Sequence, residues 1–211
     1  RTDFQNPNSI QGYTNVAYPV INQYSHVYTV SYYDDYQFDA SNIVKFDATL
    51  SDEEKLESPK GLLTGNKIVV LDGTNTYLLS AQYYNNKYQI IQTCEQNNLG
   101  GSDKQSFNYE FDGKVVSRNH EHKTTQSGTI VEYREYTYDH LGRVKALDYW
   151  VDDAENAYRM YSNTYNELGQ LVEKNIMERE LPEEGTASLQ SIDYKYNVRG
   201  WLKNINNSNI N

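Results

Sequence analysis

A chain of 211 residues is long enough for one substantial domain or two small ones. Only 37% of it is hydrophobic, yet it holds 21 Tyr, 5 Phe and 2 Trp, an aromatic load that excludes a disordered chain, while scarce Ala, Leu and Met argue against a helical bundle. Nineteen basic against 29 acidic residues leave a net charge of -10, a field that repels nucleic acid and anionic membrane surfaces, and no apolar run reaches the ~20 residues of a membrane span.

The composition that remains, Tyr, Val, Ile and Thr beside 23 Asn, is that of strands joined by tight turns, so the chain reads as all-β. It opens at Arg1-Thr2-Asp3 without initiator Met or signal sequence, which suits a mature product or a piece of a larger protein. Residues 1–75 form an irregular, β-rich N-terminal region able to fold over a sheet. Within it, Tyr24 to Tyr36 alternates as a strand and ends in a turn. Ser51-Asp52-Glu53-Glu54 spells a capping box and predicts one short helix near Ser51 to Glu57, stopped by Pro59 and Gly61. Gly61 to Lys67 is one residue short of a phosphate-binding loop and lacks its Lys-Ser/Thr pair, so it reads as a loop entering a strand at Lys67–Leu71, which turns at Asp72-Gly73. Cys94 is the single cysteine and cannot form an internal disulfide. Glu95 to Ser106 reads as a polar loop.

From residue 76 to 211 the chain repeats. Three segments share Tyr-[Asp/Asn]-x-x-Gly-x-[Val/Leu]: Tyr138-Asp139…Gly142, Tyr165-Asn166…Gly169 and Tyr196-Asn197…Gly200. Two weaker copies precede them. Tyr84-Asn85 keeps the spacing with Tyr88 where glycine belongs, and Phe111-Asp112-Gly113 reads as a copy shortened by two loop residues. Leading aromatics then fall at 84, 111, 138, 165 and 196. The longer last step coincides with an acidic insertion over Glu178 to Ser188. Each copy predicts a β-hairpin. Asp or Asn opens a type I turn by accepting hydrogen bonds from its own backbone, and the glycine supplies positive φ. Successive hairpins pair into a twisted antiparallel sheet. Tyr88 is expected to force a different turn geometry, because a bulky residue tolerates positive φ poorly. Asn204 to Asn211 is Asn-rich and expected to fray, leaving Tyr194 to Ile205 as the unprotected edge of the sheet.

Candidate chemistry is thin. His120-Glu121-His122 would place two imidazoles on one strand face, but spacing indicates no third ligand, so no metal and no cofactor is expected. Asp34-Asp35, Asp152-Asp153 and Glu183-Glu184 are sequence neighbours at turns or in the insertion, and neighbouring strand residues point to opposite faces, so none reads as a glycosidase pair. There is no Gly-x-Gly-x-x-Gly and no Gly-x-Ser-x-Gly. The tyrosines could stack on sugars. Because they follow the repeat, the reading preferred is that they build the sheet itself.

The motif series resembles the YD repeats of the Rhs and teneurin family, closest to Rhs-type proteins of Bacteroidetes, with Lys60 to Gly65 and Tyr194 to Asn206 adding to the likeness. Residues 78–206 carry most of it. The resemblance implies a spiralling sheet that can close into a shell, in proteins typically secreted or surface-attached. Arg143 alone keeps the arginine that commonly follows the motif glycine; Gln170 and Trp201 stand elsewhere. No Asp-Pro dipeptide matches the family's self-cleaving core. The expectation is therefore a non-enzymatic scaffold segment of a larger bacterial surface or secreted polypeptide. The alternative is a module that binds glycan or protein through a Tyr-rich face.

Overall fold

Segments that alternate Tyr, Thr and Val with polar residues cannot bury both faces, so each pairs with the next across a short turn. The computed structural model describes residues 12–14, 27–39, 42–74, 76–153, 157–181 and 185–206. Among these residues twelve strands form one open sheet in strict sequence order, each antiparallel to its neighbour. They are β1 (Thr29–Tyr33), β2 (Leu63–Val69), β3 (Tyr77–Tyr84), β4 (Ile90–Gln96), β5 (Ser102–Tyr109), β6 (Val115–Thr124), β7 (Gly128–Tyr138), β8 (Val144–Val151), β9 (Tyr158–Tyr165), β10 (Leu171–Leu181), β11 (Gly185–Tyr196) and β12 (Leu202–Ile205). The fold is all-β, and no helix among the described residues is long and apolar enough to cross a membrane. Two compact units divide the chain: Arg1–Gly113 with Asn119–Val131, and Lys114–Arg118 with Glu132–Asn211.

The first unit has a two-layered core. The segment between β1 and β2 lies on the sheet and seals Val44 against Ala81, Tyr83, Ile91 and Cys94, with Tyr36, Phe38, Phe46, Leu79 and Tyr109 around them. Burying a side chain such as Ile91 is worth about 1.5–3 kcal/mol. Polar groups pin the layer as well. Gln92, fully buried, accepts from the Asp47 N–H at 2.7 Å and donates to the Asp47 carbonyl and the Ser106 hydroxyl. Tyr83 Oη donates to the Val44 carbonyl at 2.8 Å.

Three expectations need correction here. Ser51 to Glu57 is not helical. Ser51 Oγ accepts from Glu53 N, only two residues on, while Asp52 N donates to Asn108 and Leu56 N to the Tyr84 carbonyl. The backbone donors a helix needs are spent on the sheet. Glu95 to Ser106 is no loop: β4 and β5 run through it, turning only over 97–101. The second strand starts at Leu63 rather than Lys67, because Gly65 leaves room for Phe38 and for the Ser80 carbonyl, which a Cβ would meet at 2.6 Å. The insertion after Glu178 lengthens a hairpin: β10 and β11 pair from Leu181↔Gly185 inward.

Other boundaries moved less. Tyr24 to His26 and Asn207 to Asn211 lie outside the described residues. Asn204 and Ile205 belong to β12, and Asn206 just beyond it is tied to β11, its N–H bonded to the Asp193 carbonyl and its Oδ1 accepting from Asp193 N.

The second unit is thinner. Among its described residues Ala146 and Leu147 are the buried hydrophobic side chains. Tyr133 of β7 stacks on its cross-strand partner Trp150 of β8, rings 5.2 Å apart and 8° from parallel.

Candidate functional site

The motif residues stand in hydrogen-bonded turns between strands. Asp139 Oδ1 accepts from Leu141 N and Arg143 N, both at 2.9 Å. Asn166 Oδ1 takes Leu168 N and Gln170 N, and Asn197 Oδ1 takes Arg199 N and Trp201 N, all within 2.9–3.0 Å. The backbone of Gly142, Gly169 and Gly200 donates 2.9 Å to the carbonyl of Asp139, Asn166 and Asn197, with φ of 77°, 80° and 80°. A second cause favours glycine. A Cβ on Gly142 would meet Lys114 Cε at 2.5 Å, on Gly169 Arg143 at 3.1 Å, and on Gly200 Gln170 at 3.3 Å. The residue after each motif glycine thus lies against the glycine of the following repeat.

Tyr88 does not force the different turn geometry expected of it. It sits in the same left-handed conformation, φ 62°, with its N–H on the Asn85 carbonyl at 3.0 Å. Asn85 Oδ1 holds Lys87 N and Gln89 N, and Asn85 is itself buried. The Asx side chain dictates the turn, and it does so strongly enough to hold a tyrosine in a region that costs a non-glycine residue about 1–2 kcal/mol. Asn97 builds the same turn in the supposed loop, accepting from Leu99 N and Gly101 N.

The copy near Phe111 is of full length. Gly113 N bonds the Glu110 carbonyl, so the turn is Glu110–Gly113, the leading aromatic is Tyr109, and no loop residue is missing. Steps between copies are then 25, 29, 27 and 31. A sixth copy is split by the layer that covers the sheet of the first unit. Asp34 N donates to the Leu62 carbonyl and Asp34 Oδ1 accepts from Gly61 N, while Tyr33 pairs with Leu63 behind the same bulge as Tyr138 with Val144.

What the sequence did not show is why the leading residue is tyrosine. Tyr84 Oη donates to the Leu63 carbonyl (2.7 Å) and Tyr109 Oη to Ile90 (2.6 Å) in the first unit. In the second, Tyr138 donates to Val115 (2.7 Å), Tyr165 to Val144 (3.0 Å) and Tyr196 to Leu171 (2.9 Å). Every acceptor stands two residues after the fourth turn position of the preceding repeat. The phenols form a ladder from hairpin to hairpin.

At three of the turns the first residue and the residue four later are matched in kind. Asp139 meets Arg143, with Nε 2.7 Å and NH2 2.5 Å from Oδ2, and this contact holds the carboxyl down at about 2. Asn85 donates to Gln89 Oε1 and Asn166 to Gln170 Oε1, each at 2.9 Å. The guanidinium of Arg143 also covers the Tyr165 ring at 4.1 Å, and Lys114 lies over Tyr138 at 5.7 Å.

Beside these turns an open groove of about 450 Å³ is lined by Tyr138, His140, Arg143, Lys145, Asn163 and Tyr165, among others. Asn163 shares the Val144 carbonyl with Tyr165.

The remaining candidates separate. His120 and His122 of β6 converge on Asp103 of β5: His122 Nδ1 bonds Oδ1, and His120 Nε2 stands 3.7 Å from the same oxygen. Asn97 Nδ2 donates to the other carboxylate oxygen at 3.0 Å. A carboxylate thus joins the histidines from the neighbouring strand, yet among the described residues no three His, Cys, Asp or Glu are placed to hold a metal ion. Asp34 and Asp35 spend their carboxylates on Gly61 N and Gln37 N. Glu183-Glu184 lies outside the described residues. Cys94 is buried and its thiol is pushed up to about 12 by that burial, which leaves no thiolate for nucleophilic work. No family model matches the chain, and no curated protein matches it.

Proposed function

We propose that this chain is a YD-repeat segment of the Rhs and teneurin type and works as a non-enzymatic structural module. It would form part of a shell wall or stalk in a larger bacterial protein that is secreted or held at the cell surface. The tyrosine ladder carries this reading. Five motif phenols and the Asx side chains of the turns are consumed by backbone groups of their own or the preceding hairpin, which is how repeat-periodic residues behave when they build a stack. Groups spent on the scaffold are not available to a substrate.

A second reading, recognition of glycan or protein, has the groove beside Tyr138 and Tyr165 in its favour, since aromatic and amide groups line it. Against it, Arg143 and Lys114 already cover those two rings. Calorimetric titration of the full chain with bacterial surface polysaccharides, together with a hydrolase screen, decides between them. No saturable binding and no turnover are expected. A Kd tighter than about 1 mM, abolished by Asn163→Ala, would replace the scaffold reading with the second one.

A further inference from the structure

We infer that the outer edge of β12 is a docking edge for one kind of partner: a β-hairpin bearing its own Tyr-[Asp/Asn]-x-x-Gly turn. Its tyrosine hydroxyl would donate to the Leu202 carbonyl, and its glycine would sit against Trp201. The inference rests on the scaffold reading and adds the chemistry of the neighbour.

The edge itself is plain. β12 is last in the strand order and pairs with β11. All four of its residues are exposed, and Leu202, Ile205 and the adjoining Trp201 are 50%, 57% and 65% accessible. Exposed edge strands are templates for another strand. Only the repeat tells which strand. Leu63, Ile90, Val115, Val144 and Leu171 each accept a tyrosine hydroxyl from the following repeat. Leu202 is the next residue in that series, two after Gly200, and no side-chain hydroxyl of a described residue reaches its carbonyl. In the same way Gln89, Lys114, Arg143 and Gln170 each lie within 3.3 Å of where a Cβ would stand on the following repeat's glycine. Trp201 is the next member of that series. Its exposed indole offers a flat floor on which only a glycine lets the incoming turn come close.

A second copy of the chain does not meet the requirement. Its twelve described strands are already in a sheet, and its motif phenols at Tyr84, Tyr109, Tyr138, Tyr165 and Tyr196 already donate within it. The occupant must bring a hairpin whose tyrosine is still uncommitted.

The test extends the full chain at Asn211 with a copy of residues 152–181, which carries the Tyr165-Asn166…Gly169 hairpin, and follows amide exchange of β12. An equally long, shuffled extension sets the baseline. Protection of the β12 amides at least about tenfold above that baseline is expected, falling about fivefold when Tyr165→Phe is made in the appended copy alone. An extension that leaves β12 exchange at the baseline overturns the docking edge. Protection that ignores Tyr165→Phe in the copy overturns the tyrosine rung. Concentration-dependent protection of β12 in the unextended chain would make the occupant a second copy and overturn the partner named. None of these outcomes bears on glycan titration, so failure here and failure of the scaffold reading are told apart.

Discussion

At the scale of single residues, the motif positions differ in what they contribute. Tyr165 Oη makes one hydrogen bond to a backbone carbonyl, and its ring packs under Arg143. Tyr165→Phe keeps the ring and removes the bond. It should cost about 0.5–1.5 kcal/mol in urea unfolding, whereas Tyr88→Phe, at a 60% exposed ring outside the ladder, should stay within ~0.5 kcal/mol. Equal costs at the two sites would show that the ladder is ornament. The turn positions invite the opposite comparison. Gly142→Val meets both a φ of 77° and the Lys114 side chain, so a loss above ~1 kcal/mol is expected. Tyr88→Gly relieves a left-handed tyrosine and should be neutral or stabilising, by up to ~1 kcal/mol. A large destabilisation by Tyr88→Gly would mean that the tyrosine ring, and not Asn85, holds that turn.

At the scale of the hairpin, the first turn residue and its partner four later act as a pair, Asp139 with Arg143 and Asn166 with Gln170. The guanidinium lowers the Asp139 carboxyl from 3.8 to about 2. A depressed carboxylate contributes stability that is present above its unfolded value and lost as pH falls through the folded one, so this contact weakens between about pH 4 and 2. Carbon-detected NMR titration should place Asp139 near 2 in the native chain and closer to its ordinary value in Arg143→Gln. An unmoved midpoint would assign the shift to the turn N–H groups instead. The pairing was written in the sequence, since both members lie within one motif. The ladder was not, because each phenol finds its acceptor 19 to 25 residues upstream, on backbone whose identity no side chain reveals. One signal was available. Tyrosine recurs at the leading position where phenylalanine would serve packing equally well, and weighting the hydroxyl would have chosen Tyr109 over Phe111. The false helix at Ser51 has the same root: a local capping pattern lost to donors drawn off by Asn108 and Tyr84, which are distant in sequence.

At the scale of the whole chain, the two units are secured by different means, and that difference can be measured. The first has a second layer over its sheet, with Val44, Ala81, Tyr83, Ile91 and Cys94 sealed together and Gln92 bonded to both sides of Asp47. The second relies on cross-strand pairs such as Tyr133–Trp150, on the ion pair of Arg159 with Asp148, and on the ladder. Cross-strand pairs contribute about 0.2–1 kcal/mol each, against about 1.5–3 kcal/mol for each large side chain fully buried in the first unit. Opening should therefore require least free energy in the second unit. Native-state hydrogen exchange is expected to give the slowest amides in β3 and β4, and faster, separately opening amides in β9 to β12. Gln92→Ala adds a control. It strips the Asp47 N–H and the Ser106 hydroxyl of a buried partner, so it should lower protection in β3 and β4 by about 1–3 kcal/mol while β9 to β12 stay as they were. A single protection level across all twelve strands, moving as one on Gln92→Ala, would mean that the chain opens as one cooperative body and that the layered core does not set a separate stability for its unit.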